Sequence, residues 1–421
     1  MSLLRNCYIT KRETSYRRDI QVLRGLAVLA VVLFHAFESH FPLGYLGVDV
    51  FFVISGFVVT PLILRIFSDP INGKKGVRSL SLSSFYKRRF YRLAPAMLFM
   101  LCTTSIFVLL FVSPTSFKIF GQQAVYSILA LGNYGAYKLN GDYFTNSGNP
   151  LIHSWSLSVE EQIYVFLPLI TLLLLKLTGY RNITKTIKIA FCVFTCLSLA
   201  VFSFPPVFET ISETLGIFDL NAFSFYSPLH RTWQFTLGGI GYFLTEGQAF
   251  RIKHSGINQF LILFLIVLLF ASLPLSQRGS SVIASFLTLV ILCFQSLDSF
   301  QVKLMQPFEW LGDRSYSIYL FHMPITFIVY FSPYLANRSL GTFRGFLAII
   351  LSILFGSISY SKVEKKCRIS KDSEKSSPNA RLALVVFLFI SLLGSNIMIK
   401  GASKEYWGLQ KNQPNPRRDG I

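Results

Sequence analysis

An arginine and a histidine, Arg24 and His35, stand eleven residues apart inside the first long apolar run of the chain. If that run is helical, eleven steps of about 100° end about 20° past three full turns, so both side chains share one face about 16 Å apart along the axis. Histidine has the near-neutral pKa of a general base. Arginine is a permanent cation suited to an oxyanion or a phosphate. Ionisable groups inside an apolar span are costly and usually face a polar interior. Each residue alone has a plainer reading, with Arg24 reaching back to the headgroups along its apolar stem and His35 as a hydrogen-bonded core residue. Their common face, opposite a set of carboxylates, favours the catalytic reading.

Those carboxylates open two later apolar runs. Asp49 lies in Gly47-Val48-Asp49-Val50-Phe51-Phe52-Val53-Ile54-Ser55-Gly56-Phe57, and Glu160 and Glu161 lie in His153-Ser154-Trp155-Ser156-Leu157-Ser158-Val159-Glu160-Glu161-Gln162. Ser158-x-x-Glu161 fits a capping box, which would account for one glutamate by helix-end chemistry alone. It does not account for two adjacent acids preceded by a Trp and a His. Asp49 or Glu160 is expected to orient His35, as a base held by a third group. A cationic run, Lys87, Arg88, Arg89 and Arg92, precedes the third apolar stretch. Topology alone places cations at an inner membrane face. The bidentate geometry of arginine also suits a phosphate-bearing donor. His230, Arg231 and Trp233, and further on Tyr316, Tyr319 and His322, are additional polar and aromatic candidates, each of which reads as packing when taken alone.

These side chains need a scaffold, and composition says which kind. The chain has 421 residues, 52% hydrophobic and only 14% charged, with mean hydropathy +0.50. Soluble domains carry about a quarter charged residues. Runs long enough to cross a bilayer stand at about 20–38, 46–66, 95–113, 157–176, 187–204, 231–245, 257–274, 281–297, 315–331, 343–361 and 381–399. A shorter stretch, 121–132, is expected to be interfacial or re-entrant, with a twelfth span as the alternative. The fold class is an all-α polytopic membrane protein, with about ten core transmembrane helices plus one additional, somewhat detached C-terminal helix. The first run, interrupted by Arg24 and His35 and without a small-residue cleavage site, is expected to be a retained anchor.

The net charge of +20 could suggest nucleic acid, but its distribution argues otherwise. With the N-terminus inside, 28 of the 40 Lys and Arg fall in inner segments and 11 in outer ones, the asymmetry of the positive-inside rule. Anionic lipid then suffices as partner, with no nucleic acid. The organisation is a basic cytoplasmic tail at 1–19, a transmembrane domain at 20–362, a cytoplasmic linker at 363–380, the additional helix at 381–399 and an extracytoplasmic tail at 400–421. Inner segments include the loop 67–92, while the polar segment 133–154 and the segment 205–228, with Glu209, Glu213 and Asp219, are outer. The protein is therefore expected in the cytoplasmic membrane, N-terminus inside and C-terminus outside. Its six cysteines show neither a disulfide framework nor a zinc pattern, and Cys192 and Cys196 read as packing residues on one helix face.

With these motifs in view, the sequence resembles the membrane acyltransferase-three family, which includes bacterial lipopolysaccharide and peptidoglycan O-acetylases. The likeness covers about residues 17–362. It is carried by Arg24-x10-His35, the Gly47-to-Phe57 run, Arg88-Arg89-x-x-Arg92-x-x-Pro95 and Trp155 to Gln162. Arg231-x-Trp233-x-Phe235-x-x-Gly238 and Gly312-Asp313-x-Ser315-Tyr316-Ser317-Ile318-Tyr319-Leu320-x-His322-x-Pro324 complete it. The resemblance implies transfer of an acyl group, usually acetyl from acetyl-CoA, to a hydroxyl of an extracytoplasmic glycan such as lipopolysaccharide O-antigen, peptidoglycan or exopolysaccharide. No permanently bound cofactor or metal is implied. Arg24 and His35 match the catalytic pair, joined by Asp49, Glu160 and Glu161. Arg88, Arg89 and Arg92 match the donor-handling motif, and Trp155, Ser158, Arg231, Tyr316 and His322 are expected on the acceptor side. His35 is read as general base and Arg24 as stabilising the thioester oxyanion or the phosphopantetheine arm, with a covalent acyl-histidine as the alternative route.

Some relatives continue after the eleventh span into a periplasmic esterase-like domain. Here Gly401 to Ile421 follow it, with no Gly-Asp-Ser motif. A complete single-domain form, a separate esterase-like partner and a shortened chain stay open at this point. The rival reading is a proton-coupled exporter of a polar or sugar-bearing solute, since intramembrane Arg, His and Glu also serve proton relays.

Overall fold

The computed structural model describes residues 17–68, 81–112, 117–144, 148–203, 220–245, 255–271, 273–294, 302–331, 341–368 and 378–401, and among them every regular element is helical. The tail 1–16, the loop 69–80, Glu209, Glu213, Asp219 and residues 402–421 lie outside the described residues. In chain order the elements are α1 (Arg18–Ala36), α2 (Gly47–Ser68), α3 (Leu82–Phe111), α4 (Phe117–Ile128), α5 (Gly132–Asn140), α6 (Ser154–Leu177) and α7 (Ile183–Ser203). Then come α8 (Leu220–Tyr226), α9 (Pro228–Thr245), α10 (Ser255–Phe270), α11 (Gln277–Phe294), α12 (Val302–Asp313), α13 (Ser315–Phe331), α14 (Gly341–Ser359) and α15 (Pro378–Gly401).

Each of the eleven apolar runs coincides with one helix. Eight are long and apolar enough to cross a membrane, and two more, Phe260–Phe270 and Ser315–Phe331, are apolar but shorter. The eleventh is α9, whose His230, Arg231 and Gln234 are buried in the bundle. The chain is an all-α polytopic membrane protein. Its outward faces carry rows of exposed large apolar side chains, among them Ile106, Leu110, Phe166, Leu173, Phe346 and Ile350. A row of this kind costs nothing against hydrocarbon and is rare against water.

Burial ranks the helices. Of the apolar window of α1, 72% is inside the bundle, against 17% for the last helix. Two reciprocal glycine contacts clamp the centre. A Cβ on Gly25 would stand 1.9 Å from the Phe308 carbonyl oxygen of α12, and one on Gly312 would stand 1.8 Å from the Gln21 oxygen of α1. Helices α2 and α9 cross in the same way through Gly56 and Gly238, with the Phe235 and Val53 oxygens at 1.7 and 1.9 Å from the would-be Cβ atoms. Small residues let helix backbones approach where lipid provides no hydrophobic drive between helices.

Three expectations change, and one stretch is filled in. The arginine run is not loop: α3 begins at Leu82, capped by Ser81 Oγ accepting the Ser84 amide at 3.1 Å, so Arg88, Arg89 and Arg92 are helical. Their helix-compatible spacing, outweighed in the sequence by charge, extends the apolar helix into the basic segment. The stretch 121–132, expected to be interfacial or re-entrant, is made of parts of two short helices, α4 and α5, which turn at the positive-φ residue Ala130 (φ 55°). Gln123 Nε2 ties this turn to α6 by donating to the Gly132 carbonyl and to Ser154 Oγ, both at 2.9 Å. The last helix is not detached, because α15 lies on α3 and α4. Ser391 and Ser395 are buried, and Cys102 Sγ donates to the Phe387 carbonyl at 3.2 Å. Finally, Cys192 and Cys196 are exposed rather than packed.

Candidate active site

Helix α1 carries Arg24 and His35 into two different cavities. The first, about 410 Å³, is lined by Arg17, Arg24, Arg89, Arg92 and Arg368 together with Ser55, Glu160, Tyr164, Tyr316 and Tyr319. The second, about 980 Å³, is lined by His35, His40, Tyr143, Asn149 and Tyr330 among others. No residue lines both. A chain of rings runs between them: Tyr319 to His322 at 4.9 Å between centroids, and His322 to His35 at 4.9 Å.

His35 is held by two hydrogen bonds. Nδ1 lies 2.9 Å from the Val31 carbonyl and Nε2 lies 2.9 Å from the Tyr143 hydroxyl. A carbonyl only accepts, so Nδ1 carries the proton and the lone pair of the neutral ring sits on Nε2. The Tyr143 hydroxyl therefore donates to Nε2. Burial raises the Tyr143 pKa well above that of an ordinary phenol, which keeps this donor protonated. Nε2 is the basic atom, and it faces the second cavity beside a neutral hydroxyl.

His153 and His322 pack against this pair. Their rings are 5.2 Å apart. His322 Nδ1 meets the Tyr319 carbonyl at 2.5 Å, whereas its Nε2 and both nitrogens of His153 are buried without a hydrogen-bond partner. Tyr319, which lines the first cavity with Ser156, has its hydroxyl 2.6 Å from Ser156 Oγ and donates to the His153 carbonyl at 3.2 Å.

The expected carboxylates separate. Asp49 does not touch His35. It is 2% exposed, accepts from Arg231 Nη1 at 3.1 Å and Gln234 Nε2 at 2.7 Å on Oδ1, and accepts from Ser281 Oγ at 2.5 Å on Oδ2. The reason is polarity matching: α9 presents a buried guanidinium that only a buried anion can neutralise. Glu160 is in the arginine cavity, where Oε1 accepts from Ser55 Oγ at 2.6 Å and from the Tyr164 hydroxyl. Glu161 lines neither cavity. Nor is it half of a capping box, because α6 starts at Ser154 and Ser158 Oγ, one turn in, accepts the Gly132 amide at 2.9 Å. Ser158 thus holds α5 on α6 rather than facing an acceptor.

The arginine run divides too. Arg89 and Arg92 line the first cavity and Arg88 does not. The Arg89 guanidinium lies 3.4 Å from the Tyr164 ring centroid, and Arg92 Nε is buried without a hydrogen-bond partner. Tyr316, expected on the acceptor side, lines the arginine cavity and donates to the Leu93 carbonyl at 2.9 Å. It sits in the first turn of α13, and His322 is six residues along, about 9 Å of helix rise. Trp155 is buried under Arg231, 5.3 Å from the guanidinium, and lies 4.7 Å from the Phe225 ring. Arg231 lines a third space of about 360 Å³ with Asp142, Phe225 and Arg278, and Phe144 borders both this space and the histidine cavity.

Sequence reasoning passed over Tyr143, Ser55, Tyr360 and Arg368, and gave His153 no role. His153 stood inside a quoted motif, and only a fold could bring Tyr143 to His35. Among the described residues no group of His, Cys, Asp and Glu is placed to hold a metal ion.

Residues 17–362 match the acyltransferase domain family. The chain belongs to that family. The chain is 29% identical over 418 residues to the O-acetyltransferase OatA of Staphylococcus aureus strain MRSA252, covering 89% of this chain and 62% of that protein. It is 28% identical over 369 residues to the peptidoglycan O-acetyltransferase OatA of Listeria monocytogenes, covering 85% of this chain and 57% of that one. The chain thus spans about three fifths of the length of these relatives. No solved structure matches it.

Proposed function

We propose that this acyltransferase is a membrane O-acetyltransferase that takes acetyl from acetyl-CoA at the arginine cavity and delivers it to a hydroxyl of a cell-wall glycan, peptidoglycan being the first candidate, at the histidine cavity. The observation that carries this reading is the position of α1, which sets a cation among arginines in one cavity and a base in a second cavity about three turns away. The arginine cavity takes the phosphates of the donor and faces the cytoplasm. The thin pantetheine arm passes Tyr319 and Ser156 and brings its thioester to the histidines.

At the far end His35 Nε2 removes the proton from the acceptor hydroxyl, and the oxygen attacks the thioester carbonyl. The C–S bond breaks, the acetyl ester forms, and the coenzyme thiolate leaves with the proton returned from His35. Such a base contributes about 10²- to 10⁴-fold. The resident Tyr143 hydroxyl marks where an acceptor hydroxyl would stand, because it already occupies hydrogen-bond distance from Nε2.

The test is purified protein in nanodiscs with labelled acetyl-CoA and peptidoglycan fragments. One free coenzyme A should appear for each O-acetylated sugar. Uptake of acceptor into vesicles with no coenzyme release would overturn the assignment in favour of an exporter.

A further inference from the structure

The arginine cavity contains one cation that neither the motifs nor the family match includes. Arg368 lies beyond residue 362, where the match ends, yet it lines the cavity with Arg24, Arg89 and Arg92. The chain reaches it through an irregular turn. Helix α14 gives way at Tyr360–Glu364 to a π-helix, a form that adds a residue to one turn and recurs at functional sites. The extra residue changes the register of all that follows. Glu364 becomes buried, 1% exposed, and accepts from Ser317 Oγ at 2.7 Å. Its other oxygen accepts from Arg368. The Arg368 guanidinium also lies 5.7 Å from the Tyr360 ring centroid, and Arg314 lies 5.0 Å from the same ring.

Arg368 is thus held by a carboxylate and a ring while remaining the outermost arginine of the cavity. Its side chain is 39% exposed, against 19% for Arg17, which is paired with Asp19 as Arg368 is with Glu364. Arg24, Arg89 and Arg92 are deeper and enter no ion pair among the described residues. The cavity therefore has an inner cationic group outside any ion pair and, in Arg368, a more exposed cation at its mouth. Buried guanidinium groups call for an anion, and the cation at the mouth offers a place for a second anionic group of the same ligand. Coenzyme A has that arrangement: a pyrophosphate next to the pantetheine arm and a lone phosphate on the ribose at the far end.

We propose that Arg368 binds the ribose 3′-phosphate of the donor at the cavity mouth, with Tyr360 and Glu364 as its positioning residues, while Arg24, Arg89 and Arg92 take the pyrophosphate. This rests on the donor reading above. It follows that the specificity for coenzyme A over nucleotides without that phosphate lies in the π-helical turn.

The measurement is the Kd of purified protein for coenzyme A and for dephospho-coenzyme A, in phosphatidylcholine nanodiscs. The wild type should prefer coenzyme A by about tenfold, roughly one charged hydrogen bond. Arg368→Gln should abolish that preference by weakening coenzyme A alone, and Arg368→Lys should restore part of it. Tyr360→Ala should reduce it while Tyr360→Phe keeps it, an effect that general loss of fold would not produce. Equal weakening of both ligands in Arg368→Gln overturns the assignment. So does a wild-type preference that vanishes in phosphatidylglycerol nanodiscs, which would give Arg368 to a lipid phosphate. If the wild type binds neither ligand, the donor reading itself falls and the role of Arg368 with it.

Discussion

Replacing Asp49 by alanine leaves three donors facing an empty place: Arg231 Nη1, Gln234 Nε2 and Ser281 Oγ, at 3.1, 2.7 and 2.5 Å in the native protein. Both members of the ion pair are nearly buried, with side-chain exposures of 5% for Arg231 and 3% for Asp49. Removing one partner of such a pair costs about 3–5 kcal/mol, because the other is left charged and unpaired. At about 2 °C per kcal/mol for a large domain, Tm should fall by about 6–10 °C. Asp49→Asn keeps one acceptor oxygen and the side-chain shape, so it should cost less and leave transfer within about tenfold of wild type. Asp49→Ala combined with Arg231→Leu removes the stranded charge and should recover part of the lost stability. Thermal unfolding in detergent, followed by size-exclusion of the surviving fraction, measures the first quantity. Acetyl transfer by the folded fraction measures the second. A folded Asp49→Asn protein with native Tm but transfer reduced more than a hundredfold would refute the argument and return Asp49 to the catalytic machinery.

Three further outcomes are expected. His35→Ala should lower transfer by about 10²- to 10⁴-fold with donor affinity unchanged, and a near-native rate would make His35 a packing residue. Arg92→Ala should raise the apparent KM for acetyl-CoA about 10- to 150-fold, the equivalent of about 1.5–3 kcal/mol for a charged hydrogen bond; an unchanged KM would leave its charge to topology alone. With the exposed Cys192 and Cys196 changed to serine, an impermeant maleimide on intact cells should label Ser39→Cys beside the histidine cavity, and should reach Ser83→Cys in the first turn of α3 only after permeabilisation. The reverse pattern would invert the direction of transfer.

The helices were readable in the sequence because hydrocarbon imposes one simple demand, a long apolar run, and each of the eleven runs coincides with a helix, eight of them long and apolar enough to cross. Arg24 and His35 were readable for the same reason, as the exceptions within a run. Partners were not. Asp49 could have faced any of several cations, and its assignment to Arg231 depends on the close crossing of α2 and α9 through Gly56 and Gly238. Tyr143 is one of 19 tyrosines and carries no local mark of its contact with a histidine 108 positions away. The start of α3 was misplaced because charge outweighed periodicity, although the arginines fit a helix face well. The π-turn leaves no signal in a single sequence, so Arg368 read as one more cation of a basic linker.

The clamped position of α1 makes this helix a gauge. Glycine against carbonyl at Gly25 and Gly312 leaves no room for it to slide or roll against α12. The separation of the cation and the base is thus fixed by helix rise, at about 16 Å for eleven residues. A donor anchored by its phosphates can react only if its acyl group hangs on a tether long enough to cover that distance. Acetyl phosphate, whose acyl group sits directly on the anion, should occupy the arginines and transfer nothing. Choice among activated acetates would then be made by length rather than by chemical reactivity.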